Sequence, residues 1–188
     1  NAGNIRSVTF ALDRIGVNAT VTDDVNEIIS ADKVIFPGVG EASSAMKYLR
    51  ERKLDEVIKS LKQPVLGICL GMQLMCNHSE EANTTCLGIF DLQVKKFTNK
   101  LKVPQIGWNN IVALRSSLFK NLNENLYVYF VHGYYAELGV NTIANADYGI
   151  NYSAALQKNN FYATQFHPEK SGETGQKILE NFIKLSKP

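Results

Sequence analysis

The stretch that most constrains this chain runs from residue 63 to residue 76 and holds a cysteine between two glycines. Val65–Ile68 is a short apolar run after a proline, which is typical of a strand covered on both faces. The residues after Gly71 continue without a helix breaker and predict a helix. Between the two elements, the spacing Gly67-x-Cys69-x-Gly71 is the cysteine form of the G-x-S-x-G nucleophile elbow. The sequence therefore predicts a strand, a sharp turn that carries a thiol, and a helix.

Such a turn suits a nucleophilic sulfur for physical reasons. The flanking glycines let strand and helix approach closely, while the turn holds the Cys69 side chain away from the backbone. The positive end of the helix dipole favours a thiolate, and the free N–H groups of the first helical turn can face a developing oxyanion. The same spacing also fits a buried structural cysteine between two closely packed glycines. The motif alone does not separate these two readings.

The composition narrows the class of protein. A chain of 188 residues, 45% apolar and 20% charged, predicts one globular domain that spans residues 1–188. The net charge is +2, and the sequence contains no block of like charges. Both features argue against nucleic acid as a partner. No apolar run approaches the ~20 residues needed to cross a bilayer, and no signal peptide opens the sequence. We therefore expect no membrane association.

The cysteines indicate a reducing compartment. The chain has three cysteines, an odd number, and none shows the spacing of metal ligands. Together with the predicted reactive thiol, they favour the cytoplasm over a disulfide scaffold. The sequence predicts no metal and no cofactor.

Helices and strands alternate in the first part of the chain and give way to strands in the second. The patterns predict helices over 4–12, 24–29, 41–50, 54–61 and 173–185. They predict strands over 18–22, 34–36, 65–68, 92–97, 110–114, 126–132, 142–146, 153–157 and 161–166, with a turn over 103–109. Alternation of this kind indicates parallel strands covered by helices. The fold class is therefore α/β, with a central, mostly parallel sheet flanked by helices and additional antiparallel strands.

A nucleophilic thiol needs a base, and the base needs a group that orients it. Of the three histidines, His78 lies in a polar segment and is interpreted as a surface residue, and His132 ends an apolar strand. His167 also ends a strand, and Glu169 follows two residues later, so both side chains point the same way. Pro168 holds His167 in extended geometry. This arrangement favours His167 as the base and Glu169 as its orienting partner.

Pro37-Gly38-Val39-Gly40 follows another predicted strand. It can be an ordinary turn between strand and helix. Its glycines can also let a peptide N–H face the tetrahedral oxygen of an intermediate. In a doubly wound sheet such loops gather at the carboxyl ends of the strands, next to the elbow.

These motifs resemble those of class I (triad) glutamine amidotransferases, and the resemblance covers essentially the whole chain. The class is indicated by Gly67-Ile68-Cys69-Leu70-Gly71-Met72-Gln73 together with His167-Pro168-Glu169. Within the class, the chain is similar to the glutaminase subunits of imidazole glycerol phosphate synthase. That similarity rests on the 37–40 loop, on Val103-Pro104-x-Ile106-Gly107-Trp108-Asn109, on residues 129–135 and on Lys170-Ser171-Gly172 after the triad. The resemblance implies the class I amidotransferase fold.

The resemblance also implies a role for each matching residue. The triad would be Cys69 as nucleophile, His167 as proton carrier and Glu169 as the group that orients the imidazole. An N–H of Leu70 and one from Gly38 or Val39 would hold the oxyanion. The residues that would bind glutamine are Gly40, Gly71, Gln73, Glu81, Gly133 and Tyr134. The residues that would face a partner are Gln105, Trp108 and Asn109.

The implied partner is a (β/α)8-barrel cyclase subunit, so the working enzyme would be a heterodimer. This chain would hydrolyse glutamine to glutamate and ammonia. The barrel would use the ammonia to make imidazole glycerol phosphate and AICAR in histidine biosynthesis. The alternative is the glutaminase subunit of a paralogous synthase that amidates another substrate, such as a bacterial surface-sugar precursor.

Three departures from the family pattern bear on that choice. The family opens with an apolar strand before Gly-x-Gly-Asn, and only Asn1-Ala2-Gly3-Asn4 corresponds here, so we expect the first strand to be missing. Gln105 stands where the family pattern has His, and Gly133 stands where it has Ser. The departures at Gln105 and Gly133 leave the triad intact, but they lie in segments associated with the partner and with glutamine.

Two further classes of function remain open. A cysteine peptidase or γ-glutamyl hydrolase would share the elbow but would leave the 37–40 loop and Gln73 unexplained. A non-catalytic binding module would not need Cys69, His167 and Glu169 together.

Overall fold

The computed structural model describes residues 2–38, 40–98 and 101–186. Its α-helices are α1 (Ala2–Arg14), α2 (Val25–Ser30), α3 (Ala42–Glu51), α4 (Leu54–Ser60), α5 (Leu70–Met75) and α6 (Gly172–Lys184). Its strands are β1 (Val34–Phe36), β2 (Val65–Ile68), β3 (His78–Ser79), β4 (Thr84–Thr85), β5 (Gln93–Lys96), β6 (Gln105–Ile111), β7 (Leu126–His132), β8 (Tyr134–Ala136), β9 (Thr142–Asp147), β10 (Asn151–Lys158) and β11 (Phe161–Thr164). Short 3-10 turns include Pro168–Lys170.

The central sheet has the strand order β1-β2-β11-β10-β9. Its first three strands are parallel, and β10 and β9 continue it in antiparallel pairing. A second sheet, β4-β3-β5-β8, and the antiparallel pair β6–β7 make up the additional strands. The predicted fold class is confirmed.

Strand β2 lies inside the sheet and is covered on both faces. Leu66 and Ile68 pack into a core cluster with α1, α6 and the β6–β7 pair. Val65 packs into a second cluster, on the side of α3, α4 and α5. All four residues of β2 are buried. The apolar run that predicted this strand is therefore explained by burial on both sides, and the turn after β2 emerges between two layers of helix.

Local sequence signals account for several helix boundaries. Asp24 caps α2, because its side-chain oxygen accepts hydrogen bonds from the N–H groups of Asn26 and Glu27. Helix α6 buries Ile178, Leu179 and Phe182 along one stripe, as its amphipathic pattern predicts. No helix in the described part of the chain is long and apolar enough to span a membrane.

Two predicted features are wrong. Residues 18–22 do not form a strand, since they pair with no strand in the described structure and β1 ends the sheet on that side. Residues 105–111, expected to be mostly a turn, form β6 and pair along their full length with β7. The glycine and asparagines of β6 locally favour a turn, but its long-range partner supplies the hydrogen bonds of a strand.

Candidate active site

Cys69 occupies a strained turn between β2 and α5. Its backbone angles are φ 53° and ψ −107°, a conformation that residues with a side chain rarely adopt. The Cys69 N–H donates to the Thr164 carbonyl on β11 at 2.7 Å, which anchors the turn to the neighbouring strand. The elbow predicted from the glycine spacing is therefore present, and its strain marks a functional position.

The loop after β1 packs directly against the first turn of α5. A β-carbon at Gly71 would lie 1.9 Å from the Phe36 carbonyl oxygen, so only glycine fits there. Gly38, at φ +58°, also packs too closely for a side chain, because a β-carbon on it would lie 2.5 Å from the Gly71 nitrogen. The predicted oxyanion loop therefore lies next to Leu70, whose N–H was assigned to the same role. Val39 lies outside the described residues.

His167 lies in the segment that follows β11. The His167 N–H donates to the Tyr129 carbonyl on β7 at 2.9 Å. The Ser171 hydroxyl donates to the His167 carbonyl at 2.7 Å and accepts from the Tyr129 N–H at 2.9 Å. These bonds fix the backbone of the turn that carries His167 to β7, so the position of the imidazole does not depend on a free loop.

His167 and Glu169 form a buried pair. His167 Nδ1 lies 2.7 Å from Glu169 Oε1, and both side chains are almost fully buried. Burial by itself lowers the pKa of His167, but interactions with Cys69 and Glu169 outweigh it and raise that pKa to about 9. His167 Nε2 is buried and receives no hydrogen bond from the described residues. The contact with Glu169 thus fixes the orientation of the imidazole through Nδ1 and leaves Nε2 for the side of Cys69.

A buried amide, Gln165, lies beside the sulfur and was missed by the sequence reading. Its Nε2 is 3.6 Å from Cys69 Sγ, and its Oε1 accepts a hydrogen bond from Gln73 Nε2 at 3.0 Å. Gln73 Nε2 also donates to the Tyr134 carbonyl at 2.9 Å. The available signal was alternation, since Gln165 is two residues before His167 in an extended segment and shares its direction.

Three other residues predicted to bind glutamine, Glu81, Gly40 and Gly133, have the following local surroundings. The Glu81 carboxylate accepts from the Ala42 N–H at 2.8 Å, at the start of α3. Gly40 has φ +81°. A β-carbon at Gly133 would touch only Val103 and Pro104, at 3.7 Å or more, so the backbone would also accept serine.

A second buried histidine, His132, lies in a different environment. Its Nδ1 is 2.7 Å from the Tyr134 carbonyl, and its Nε2 is 3.0 Å from the Gln105 amide, which also accepts from the Tyr152 hydroxyl at 2.9 Å. Burial lowers the pKa of His132 to about 4. Gln105 is 3% exposed, so the structure does not place its side chain on a partner surface as expected. Its hydrogen bonds to the interior explain why.

The other two residues assigned to the partner surface lie further along β6. Trp108 is 56% exposed and packs edge-on against Tyr129. The Asn109 side chain donates to the Asp147 carbonyl at 2.8 Å. Ile106 and Tyr127 share the outward face with Trp108 and are equally exposed, because alternate residues of paired strands face the same way.

The side chains of the centre define the chemistry that it can perform. In the described residues, no group of three or more His, Cys, Asp or Glu side chains could hold a metal ion. A thiol in a strained turn, a buried imidazole–carboxylate pair and backbone N–H groups near the sulfur are the parts needed for acyl transfer to and from cysteine.

Comparison with known proteins agrees with this geometry. Residues 2–185 match the family model described as glutamine amidotransferase class-I. Imidazole glycerol phosphate synthase subunit HisH of Bacteroides fragilis is 58% identical over 188 residues, covering 98% of this chain and 96% of the relative. The subunit of the same name from Haemophilus influenzae is 47% identical over 182 residues, covering 96% and 92%.

A solved structure titled glutamine amidotransferase has a similar fold, with a TM-score of 0.73 at 17% identity, covering 95% of this chain and 92% of that one. The family match spans nearly the whole sequence and includes the elbow, the 37–40 loop and the His167–Glu169 pair. This chain belongs to the class I glutamine amidotransferases.

Proposed function

We propose that this chain is the glutaminase subunit of an imidazole glycerol phosphate synthase, acting in histidine biosynthesis. The observation that carries the proposal is that the buried His167–Glu169 pair interacts with Cys69, which stands in a strained turn. The curated relatives that carry the subunit name are 46–58% identical over nearly the whole chain. They do not favour the alternative of a paralogous synthase that amidates a surface sugar.

The reaction uses the triad in two half-reactions. The Cys69 proton moves to His167 Nε2, and the sulfur attacks the side-chain amide carbon of glutamine to form a tetrahedral intermediate. The imidazolium then gives its proton to the departing nitrogen, so ammonia leaves and a thioester remains. Water, deprotonated by His167, hydrolyses the thioester to glutamate. Glu169 stabilises the imidazolium through Nδ1 in both halves.

The remaining site residues have proposed roles in holding the substrate. The N–H of Leu70, with one from Gly38 or Val39, would stabilise the oxyanion, and the close contact of the two segments supports this. Both amide hydrogens of Gln73 are engaged by Tyr134 and Gln165, so Gln73 Oε1 is the atom left for the substrate's ammonium group. Glu81 and the backbone of Gly133 and Tyr134 would bind the same end of the substrate glutamine.

The outward face of the β6–β7 pair is the proposed surface for the barrel subunit. Ile106, Trp108 and Tyr127 form its exposed apolar part, which is the composition expected of an interface centre. Trp108 packs against Tyr129, and the Tyr129 backbone holds His167 and Ser171. A partner that docks there would contact β7, the strand to which the turn carrying His167 is hydrogen-bonded. We therefore propose that glutaminase activity is low without the partner. With three free cysteines, the heterodimer is proposed to work in the cytoplasm.

The test is ammonia release from glutamine by purified Cys69→Ala protein, with and without the barrel subunit. We expect activity to fall to background while fold and partner binding persist, because the substitution removes only the nucleophile. Cys86→Ala is the matched control, since Cys86 is a buried cysteine outside the triad, and it should retain activity.

Two outcomes would overturn the proposal. Retained glutaminase activity in Cys69→Ala would exclude Cys69 as the nucleophile. Rapid cleavage of a folate polyglutamate or a peptide by the native chain, without glutamine hydrolysis, would indicate a different hydrolase on this fold.

A further inference from the structure

Gln165 is a fully buried side chain whose amide spans the space between Gln73 and Cys69. It has no exposed surface. Its backbone is fixed as well, because its N–H donates to the Ala154 carbonyl of β10 at 2.8 Å. A buried amide must satisfy its hydrogen-bonding groups, and here one of its two polar ends is directed at the sulfur.

The hydrogen bonds determine which end of the Gln165 amide faces Cys69. The Tyr134 carbonyl can only accept, so the group of Gln73 that faces it must be the nitrogen. The same nitrogen then donates its second hydrogen to Gln165, which must present its oxygen. The Gln165 nitrogen is therefore the end that lies 3.6 Å from Cys69 Sγ.

Two polar groups lie next to the Cys69 sulfur, and one favours its thiol form while the other favours its thiolate form. The Val131 carbonyl oxygen, 3.7 Å away, can accept a hydrogen bond only from the protonated thiol. The Gln165 N–H donates, and a donor is bound more strongly by a thiolate than by a thiol. Loss of the proton therefore gives up the contact with Val131 and strengthens the contact with Gln165.

We propose that Gln165 is a further catalytic residue, which stabilises the Cys69 thiolate by donating an amide hydrogen to the sulfur. The inference rests on the proposed use of Cys69 as the nucleophile. When the S–H bond breaks and the proton bonds to His167 Nε2, the negative charge left on sulfur is met by the Gln165 N–H. When the thioester is hydrolysed, the same N–H meets the charge that returns to the departing sulfur.

The experiment measures alkylation of Cys69 by iodoacetamide as a function of pH, which reports the thiolate and does not require glutaminase activity. The test variant is Gln165→Met, which keeps the length of the side chain and removes both donor and acceptor. The matched control is Gln63→Met, because Gln63 is also a buried amide donating to a carbonyl, that of Ile28, but lies away from the sulfur.

The other two cysteines do not interfere with the measurement of Cys69 alkylation. Burial raises the pKa of Cys86 to about 11 and raises that of Cys76 further, so both remain thiols near neutral pH. Mass spectrometry of the labelled peptide, with Cys69→Ala protein as background, assigns the reaction to Cys69.

We expect Gln165→Met to be alkylated about tenfold or more slowly at pH 7, with the midpoint of its pH profile moved upward by about one unit or more. Gln63→Met should keep the native profile. Gln165→Glu is the second variant, because a carboxylate still accepts from Gln73 but repels the thiolate, and it should move the midpoint upward as well.

A folded Gln165 variant with the native alkylation profile would overturn the role of Gln165. That result is distinct from failure of the proposed function, which would appear as absence of ammonia release in the native heterodimer.

Discussion

The two buried histidines of this molecule, His132 and His167, are each 5% exposed, and each follows or ends a strand. The pKa of His167 is raised to about 9, and that of His132 is lowered to about 4. The difference lies in the partners. His167 faces a carboxylate and a thiol, whereas His132 faces a carbonyl, an amide and a phenol.

The comparison shows that burial does not make a histidine a base. Burial disfavours the imidazolium at both positions, and only Glu169 and Cys69 supply a charge that reverses this effect at His167. The charge of His167 also lowers the pKa of His132, so the first imidazolium helps to keep the second ring neutral. We therefore expect His167 to transfer protons and His132 to be structural.

The largest expected effect is the difference between two single variants, His167→Asn and His132→Asn, made in separate proteins. His167→Asn should lower kcat for glutamine hydrolysis by about 10³-fold or more, because the proton carrier is lost. His132→Asn should lower it by about tenfold or less, through displacement of the Tyr134 backbone. Ammonia release by the heterodimer, with circular dichroism to confirm folding, measures both. Equal losses would break the comparison and give His132 a catalytic role.

A second prediction concerns stability in acid. The pKa of His132 is about 4 in the folded protein and about 6.5 when unfolded, so the unfolded chain binds an additional proton between these values. The stability that depends on neutral His132 is complete above pH 6.5 and is lost as the pH falls towards 4.

Urea unfolding at pH 7 and at pH 4.5 measures this loss. The native protein should lose about 2–3 kcal/mol more than His132→Gln over this interval, because the glutamine does not titrate. Other titrating groups are common to both proteins and cancel in the difference. An equal loss would show that His132 is not buried as a neutral ring.

The smallest effect is expected at Glu169. Glu169→Gln keeps an oxygen that can accept from His167 Nδ1 but removes the charge, so kcat/KM should fall roughly 10- to 100-fold, less than after loss of the imidazole. The limb of the pH–rate profile that reports the titration of His167 should move to lower pH, because the carboxylate helps to raise the pKa of His167. A profile that does not move would contradict the charge argument.

The sequence allowed the elbow and the His167–Glu169 pair to be predicted because their signals are local. Spacing around Cys69 dictates the turn, and two-residue alternation places His167 and Glu169 on one side. Strand β6 could not be predicted from its own residues, because its hydrogen bonds come from β7, about twenty residues later.

Gln165 was not identified from the sequence, and Gln105 was assigned to the surface, for a related reason. Glutamine is usually exposed, and only the three-dimensional partners of these two residues, Cys69 and Gln73 for one and His132 and Tyr152 for the other, explain their burial. Polar networks that join distant strands leave little trace in a single sequence.

The close packing of Gly71, where a β-carbon would lie 1.9 Å from the Phe36 carbonyl oxygen, also constrains how this protein can vary. In a saturation library selected for growth without histidine, codon 71 should retain one amino acid, even though the residue performs no chemistry. Position 133, where the backbone leaves room, should accept several small ones. Tolerance to mutation around the sulfur is thus governed by available space and not by distance from the reacting atoms.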